Sequence, residues 1–137
     1  MIPKASTGLQ MLAGRVLGHV LPELASKYVM SDTAMLAMLM TALSEELESG
    51  IAKRLLDIDA MEQLFQQAKM RGFAVPEPVK FLPGEQTLTR VNEVHDQLTQ
   101  ALIELHEKVD GVSDHGELNN SIWRYLSAHA ERHALAI

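Results

Sequence analysis

Leu9, Leu12, Val16, Val20 and Leu24 recur at the spacing of one helix face. The pattern predicts a first helix from about Ser6 or Thr7, either of which can cap it, towards Tyr28. Pro22 lies inside that run. It has no N–H to donate and its ring crowds the preceding turn, so a kink or break is expected around His19 to Leu21. Ser31, Asp32 and Thr33 read as the start of a second helix. Its stripe of Leu36, Met40, Leu43, Leu47, Ile51, Leu55, Ile58 and Phe65 keeps helical phase as far as a stop at Gly72. The stripe crosses Gly50 in phase, which favours one long helix. The alternative is a break there, giving five helices in all.

Between Arg71 and Glu85, three prolines (Pro76, Pro78, Pro83) and two glycines (Gly72, Gly84) replace the periodicity and predict a stiff, extended crossover. Thr87 then opens a third helix, in which Leu88, Val91, His95, Leu98, Leu102, Leu105 and Val109 alternate by three and four residues. That seam resembles a coiled coil with one histidine in it. A short connection from Asp110 to Gly116 leads to a fourth helix, starting near Glu117, with Leu118, Ile122, Tyr125, Leu126 and Ile137 on one face. The expected fold is all-α: an antiparallel four-helix bundle with a long Pro-rich crossover, forming one domain over residues 1–137.

Composition agrees with this. The 137 residues are 47% hydrophobic and 22% charged, a globular balance, and only 4% aromatic, with no period-two runs to build a sheet. The net charge of −6, without a basic stripe, argues against a nucleic-acid partner, because phosphate binding is driven by clustered Lys and Arg. The chain has no cysteine, so disulfides, thiolate nucleophiles and iron–sulfur ligation are excluded, and a reducing cytoplasmic location is expected. Arg15 and His19 interrupt the N-terminal apolar run, unlike a secretory signal. The most apolar stretch, residues 34–43, is about half the length a bilayer requires, so no membrane partner is expected.

His95, His129 and His133 are the strongest candidate chemistry. His129 and His133 are four apart and share the apolar face of the fourth helix. His95 lies 15 residues before Asp110, and the pair lies 13 and 17 residues after Gly116. An antiparallel hairpin would therefore bring all three to one level, where imidazoles can converge on Zn²⁺, Ni²⁺ or Fe²⁺. The layout resembles the three-histidine metal site of DinB-like four-helix proteins, which also place two histidines four apart on a late helix. The likeness covers these three residues and the helix count, with the remaining histidine here on the third helix. Di-iron carboxylate bundles need Glu-x-x-His pairs, and Glu93-Val94-His95, Glu104-Leu105-His106 and Glu131-Arg132-His133 all miss that spacing.

Two further features bear on function. Arg54 falls on the apolar stripe, with Asp57 three residues on as a pairing partner or, alternatively, with a small anionic ligand or acyl group held between helices. Residues 34–43 are apolar almost all round the helix, and Met35, Met38, Leu39 and Met40 need covering, which a second copy of the chain would supply. The leading expectation is thus a homo-oligomeric, dimeric structural or protein-interaction module with no assignable catalysis and no cofactor. A metal-binding bundle is the alternative.

Overall fold

A computed structural model describes residue 2 and residues 4–135. Helix accounts for 79% of the structure, with four α-helices and no strand among the described residues. These are α1 (Ala5–Arg15), α2 (Lys27–Met70), α3 (Leu88–Val109) and α4 (Gly116–Arg132). Ile137, expected on the apolar face of the fourth helix, lies outside the described residues. No helix among the described residues is long and apolar enough to cross a membrane.

The first helix is shorter than its periodicity suggested, and Pro22 explains why. A proline ring collides with the carbonyl four residues back and supplies no N–H, so regular α geometry cannot run through it. The chain adapts by widening over Val16–Val20, where the Leu21 N–H reaches the Val16 carbonyl, and then tightening to a 3-10 turn over Leu21–Glu23. Tyr28 consequently belongs to α2. That helix begins four residues before Ser31, because Ser26 does the capping: its carbonyl accepts from the Met30 N–H at 2.9 Å and its Oγ from the Val29 N–H at 3.5 Å. At the other end Gly72 takes φ +88°, and the Phe73 N–H returns to the Ala68 carbonyl at 3.1 Å, closing the helix at the expected stop. The helix is continuous through Gly50.

The chain forms two compact units, and the boundary between them falls within α2, after Gly50. In the first unit the buried side chains are small: Ala13, Ala37 and Ser44. Ser44 Oγ donates to the Ser6 carbonyl at 2.8 Å, and Ser6 Oγ donates to Glu48 at 3.0 Å. Six of its large apolar residues, Met11, Leu12, Met35, Leu36, Leu39 and Leu43, are more than half exposed.

The second unit, from Ile51 to Ala134, contains the core. Ile58, Met61, Leu64, Phe65 and Ala68 of α2 meet Val91, Val94, Leu98, Leu102, Leu105 and Val109 of α3 and Leu118, Ile122 and Tyr125 of α4. Each large apolar side chain in such a core contributes about 1.5–3 kcal/mol of transfer free energy. The irregular segment after Met70 joins in: Phe73, Val75, Val79 and Phe81 pack on the core, and the Val79 N–H donates to Glu62 at 2.9 Å. Thr87 caps α3 as expected, accepting from the Arg90 N–H at 3.2 Å.

Candidate metal centre

Asp57 sits on α2 in step with Met61, Leu64 and Ala68, at a position that faces the core, and its side chain is fully buried. An isolated buried carboxylate is expensive, so it must be paired. Its Oδ2 atom lies 2.9 Å from His95 Nε2, 2.8 Å from His129 Nδ1 and 2.6 Å from His133 Nε2. Arg132, the last residue of α4, donates from Nη1 to the other oxygen, Oδ1. Burial pushes the Asp57 carboxyl up, but hydrogen bonds from His95, His133 and His129, with the His129 charge, outweigh burial and hold its pKa below the ordinary carboxylate value.

Three helices supply the cluster. His95 interrupts the apolar seam of α3 and is only 13% exposed; His129 and His133 come from α4 and its C-cap, at 36% and 22% exposure. The rings pack on one another, with His129 and His133 centroids 4.6 Å apart and His95 and His129 centroids 5.6 Å apart.

A carboxylate oxygen has two lone-pair directions, yet Oδ2 faces three ring nitrogens. Three nitrogen donors and one oxygen, all within 4.8 Å of one another, make a group that could hold a metal ion. In a tetrahedral Zn²⁺ site with bonds near 2.0–2.1 Å, neighbouring donor atoms stand about 3.4 Å apart, which this spread accommodates. The supporting contacts fit as well. His95 Nδ1 lies 3.4 Å from Thr99 Oγ1, and that hydroxyl donates onward to Met61 Sδ at 3.9 Å. With its proton directed at sulfur, Thr99 is free to accept from an Nδ1–H, and in that tautomer Nε2 would carry the lone pair that a bound metal needs in place of the proton it shares with Asp57.

Tyr125 stacks beside His129 at 5.9 Å, and its phenol is held above its ordinary pKa by burial and then by the Asp57 charge, against a smaller opposing effect of Arg132. A cavity of about 190 Å³ lies along this wall, bordered by His95, His129 and Tyr125 and by the side chains of Leu102, Ile103 and Leu126.

His95, His129 and His133, singled out from their spacing, are thus brought together on one atom. Asp57 joins them, surrounded by the three imidazoles and Arg132. Arg54, one turn back along α2, donates from Nε to Asn92 Oδ1. The residues missed by sequence reasoning are Asp57 as a fourth donor and Arg132 as its charge partner. The readable signal for Asp57 was a carboxylate in the three-four alternation with Met61, Leu64 and Ala68. Met35, Met38 and Leu39 lie exposed in the first unit, and Met40 is half-buried. No protein-family model matches the chain, and neither a curated protein nor a solved structure is significantly similar to it.

Proposed function

We propose that this protein binds a divalent transition metal through Asp57, His95, His129 and His133. The observation that carries the reading is the convergence of three imidazole nitrogens, from two helices, on one buried carboxylate oxygen of a third. Nitrogen-rich ligation with one carboxylate suits Zn²⁺, Fe²⁺ or Ni²⁺ rather than Mg²⁺ or Ca²⁺, which prefer all-oxygen shells. It is the three-histidine alternative that the likeness to DinB-like proteins implied, with a carboxylate added. Arg132 occupies Oδ1 and leaves Oδ2 for the ion. Metal analysis of protein purified without chelator, together with Co²⁺ titration read by its visible absorption, tests this: about one equivalent should bind, and H129A/H133A should bind none. A wild-type protein that takes up no Zn²⁺, Fe²⁺, Ni²⁺ or Co²⁺ would sink the reading.

The helix directions that serve this site are part of the proposal. Arg54 with Asn92, Asp57 with His95 and Met61 with Thr99 are each 38 residues apart, which supports α3 running parallel to the C-terminal part of α2. Such a pair needs a crossover, the role we assign to the Pro-rich segment. Pairing of His106 with Asn119 and of Arg71 with Glu117, beside the His129 contacts, supports α4 running antiparallel to both.

A second reading concerns the first unit. Its exposed apolar side chains, Met35, Met38 and Leu39 included, support a homodimer or another protein partner, because monomers rarely leave such patches open. M38D should lower the mass measured by sedimentation while the Co²⁺ spectrum is retained. A wild-type protein that is monomeric at tens of micromolar would end this reading. The lack of cysteine is compatible with a reducing cytoplasm for either role.

A further inference from the structure

The cavity beside His95 and His129 gives the proposed metal centre a direction of approach. We infer that this centre, if it holds metal as proposed above, takes a small ligand with an anionic, metal-binding head and a short unbranched aliphatic tail, the tail lying in the cavity between α3 and α4.

Three observations converge on this class. The cavity is walled at one side by two of the candidate ligands, His95 and His129, so a molecule inside it lies beside the metal position. Beyond these two imidazoles Leu102, Ile103, Ile122 and Leu126 make most of the wall, with Thr99 and with His106, whose Nε2 is engaged by Asn119, and such a surface recognises hydrocarbon. Tyr125 also lines the cavity, with a hydroxyl that makes no hydrogen bond among the described residues, and the Arg132 guanidinium is held on Asp57 Oδ1. A phenol donor and a cation beside a metal suit an oxygen-rich anionic head such as a carboxylate or hydroxamate.

Size limits the tail. A cavity near 150 Å³ is enough for benzene, so about 190 Å³ takes roughly six to eight carbon atoms. Arg132 restricts Asp57 to one oxygen, so the four protein donors leave coordination positions open on a five- or six-coordinate ion.

The test uses the full-length protein loaded with Co²⁺ and titrated with n-alkyl hydroxamates from two to twelve carbons, read by the shift of the cobalt visible bands. Affinity should rise about fourfold per methylene up to six to eight carbons and then level off, since burying one CH₂ changes an equilibrium by about that factor. Ile103 is half-exposed, so I103W can fill the cavity from its open side without disturbing the core. In I103W the cobalt bands and acetohydroxamate binding should persist, and the advantage of hexanohydroxamate, on the order of a hundredfold in the wild type, should fall to less than about threefold. Equal affinities for the two- and six-carbon probes in the wild type would overturn the inference and leave the metal centre standing, as would a chain-length advantage that survives in I103W. Absence of cobalt bands in the wild type would overturn the metal reading itself and this inference with it.

Discussion

Met61 and Ile122 in the second unit have no exposure, while Met35 and Leu39 in the first are 59% and 56% exposed, although Met61, Met35 and Leu39 all lie on the same helix, α2. The two regions differ in what their helices can meet. In the second unit, α3 and α4 are sharply two-sided, and the apolar face of each finds two others and the segment 73–81. In the first unit α1 stops at Arg15, so its contacts are made through small residues, and the apolar surface around Leu36 and Leu43 is left open. Helical periodicity therefore says which residues want cover; it does not say that cover exists. The second unit also buries a charge cluster, and Asp57, with no exposure, is far more deeply buried than those leucines of the first unit.

The largest expected effect comes from removing the charge at the centre of that cluster. D57N keeps the shape but removes the charge, and its single carbonyl oxygen cannot serve both Arg132 and the three imidazoles, some of which then face an amide NH2. Breaking a buried pair in this way should destabilise the metal-free second unit by about 3 kcal/mol, a fall in melting temperature of roughly 15 °C for a unit of this size. Hydrogen exchange should show the loss between residues 58 and 129 and little change between residues 5 and 44. Equal loss of protection in both stretches would break the comparison, since the two units would then unfold as one.

Packing provides the next test. I122A removes a side chain with no exposure and should cost about 2–3 kcal/mol through lost contacts and the cavity left behind. L39A, at 56% exposure, should change the stability of a monomer by less than about 0.5 kcal/mol. Paired urea titrations read this directly. If L39A costs as much as I122A, and the cost grows with protein concentration, Leu39 is covered by another copy and the open face of the first unit is an interface.

How much of this was legible depends on what lies between the residues concerned. The relation of His95 to His129 and His133 crosses only a short connection, so counting rises from Asp110 and Gly116 was enough to place the three at one level. The relation of Asp57 to His95 crosses the segment after Met70, whose irregular path has no fixed rise per residue, and so Asp57 could not be counted into the cluster. Arg132 was hidden for another reason: on a helix wheel it lies about 60° to the side of His129 and about 100° from His133, and only the tertiary packing shows it turning onto Asp57. The stop at Gly72 and the cap at Thr87 were readable because each depends on a few adjacent residues. Pro22 announced a disruption, but not that the chain would absorb it by widening over Val16–Val20.

The smallest effect, and the one that separates packing from metal use most cleanly, belongs to Thr99. Its hydroxyl lies 3.4 Å from His95 Nδ1 and donates to Met61 Sδ. T99V keeps the volume and removes the hydroxyl. A residue that serves packing alone would tolerate this, with stability unchanged to within about 1 kcal/mol. A residue that fixes the ring of a metal ligand would show its loss in affinity instead, typically 10–100-fold for such outer contacts. The bond here is long at 3.4 Å, so the expectation is the lower figure: about tenfold weaker Zn²⁺ binding in competition with a chromophoric chelator, with an unchanged urea midpoint for the metal-free protein. T99S, which retains the hydroxyl and loses the methyl, should reverse the pattern, keeping affinity and losing some stability. If T99V and T99S weaken metal binding equally, the hydroxyl is not orienting His95, and this half-buried threonine serves packing alone.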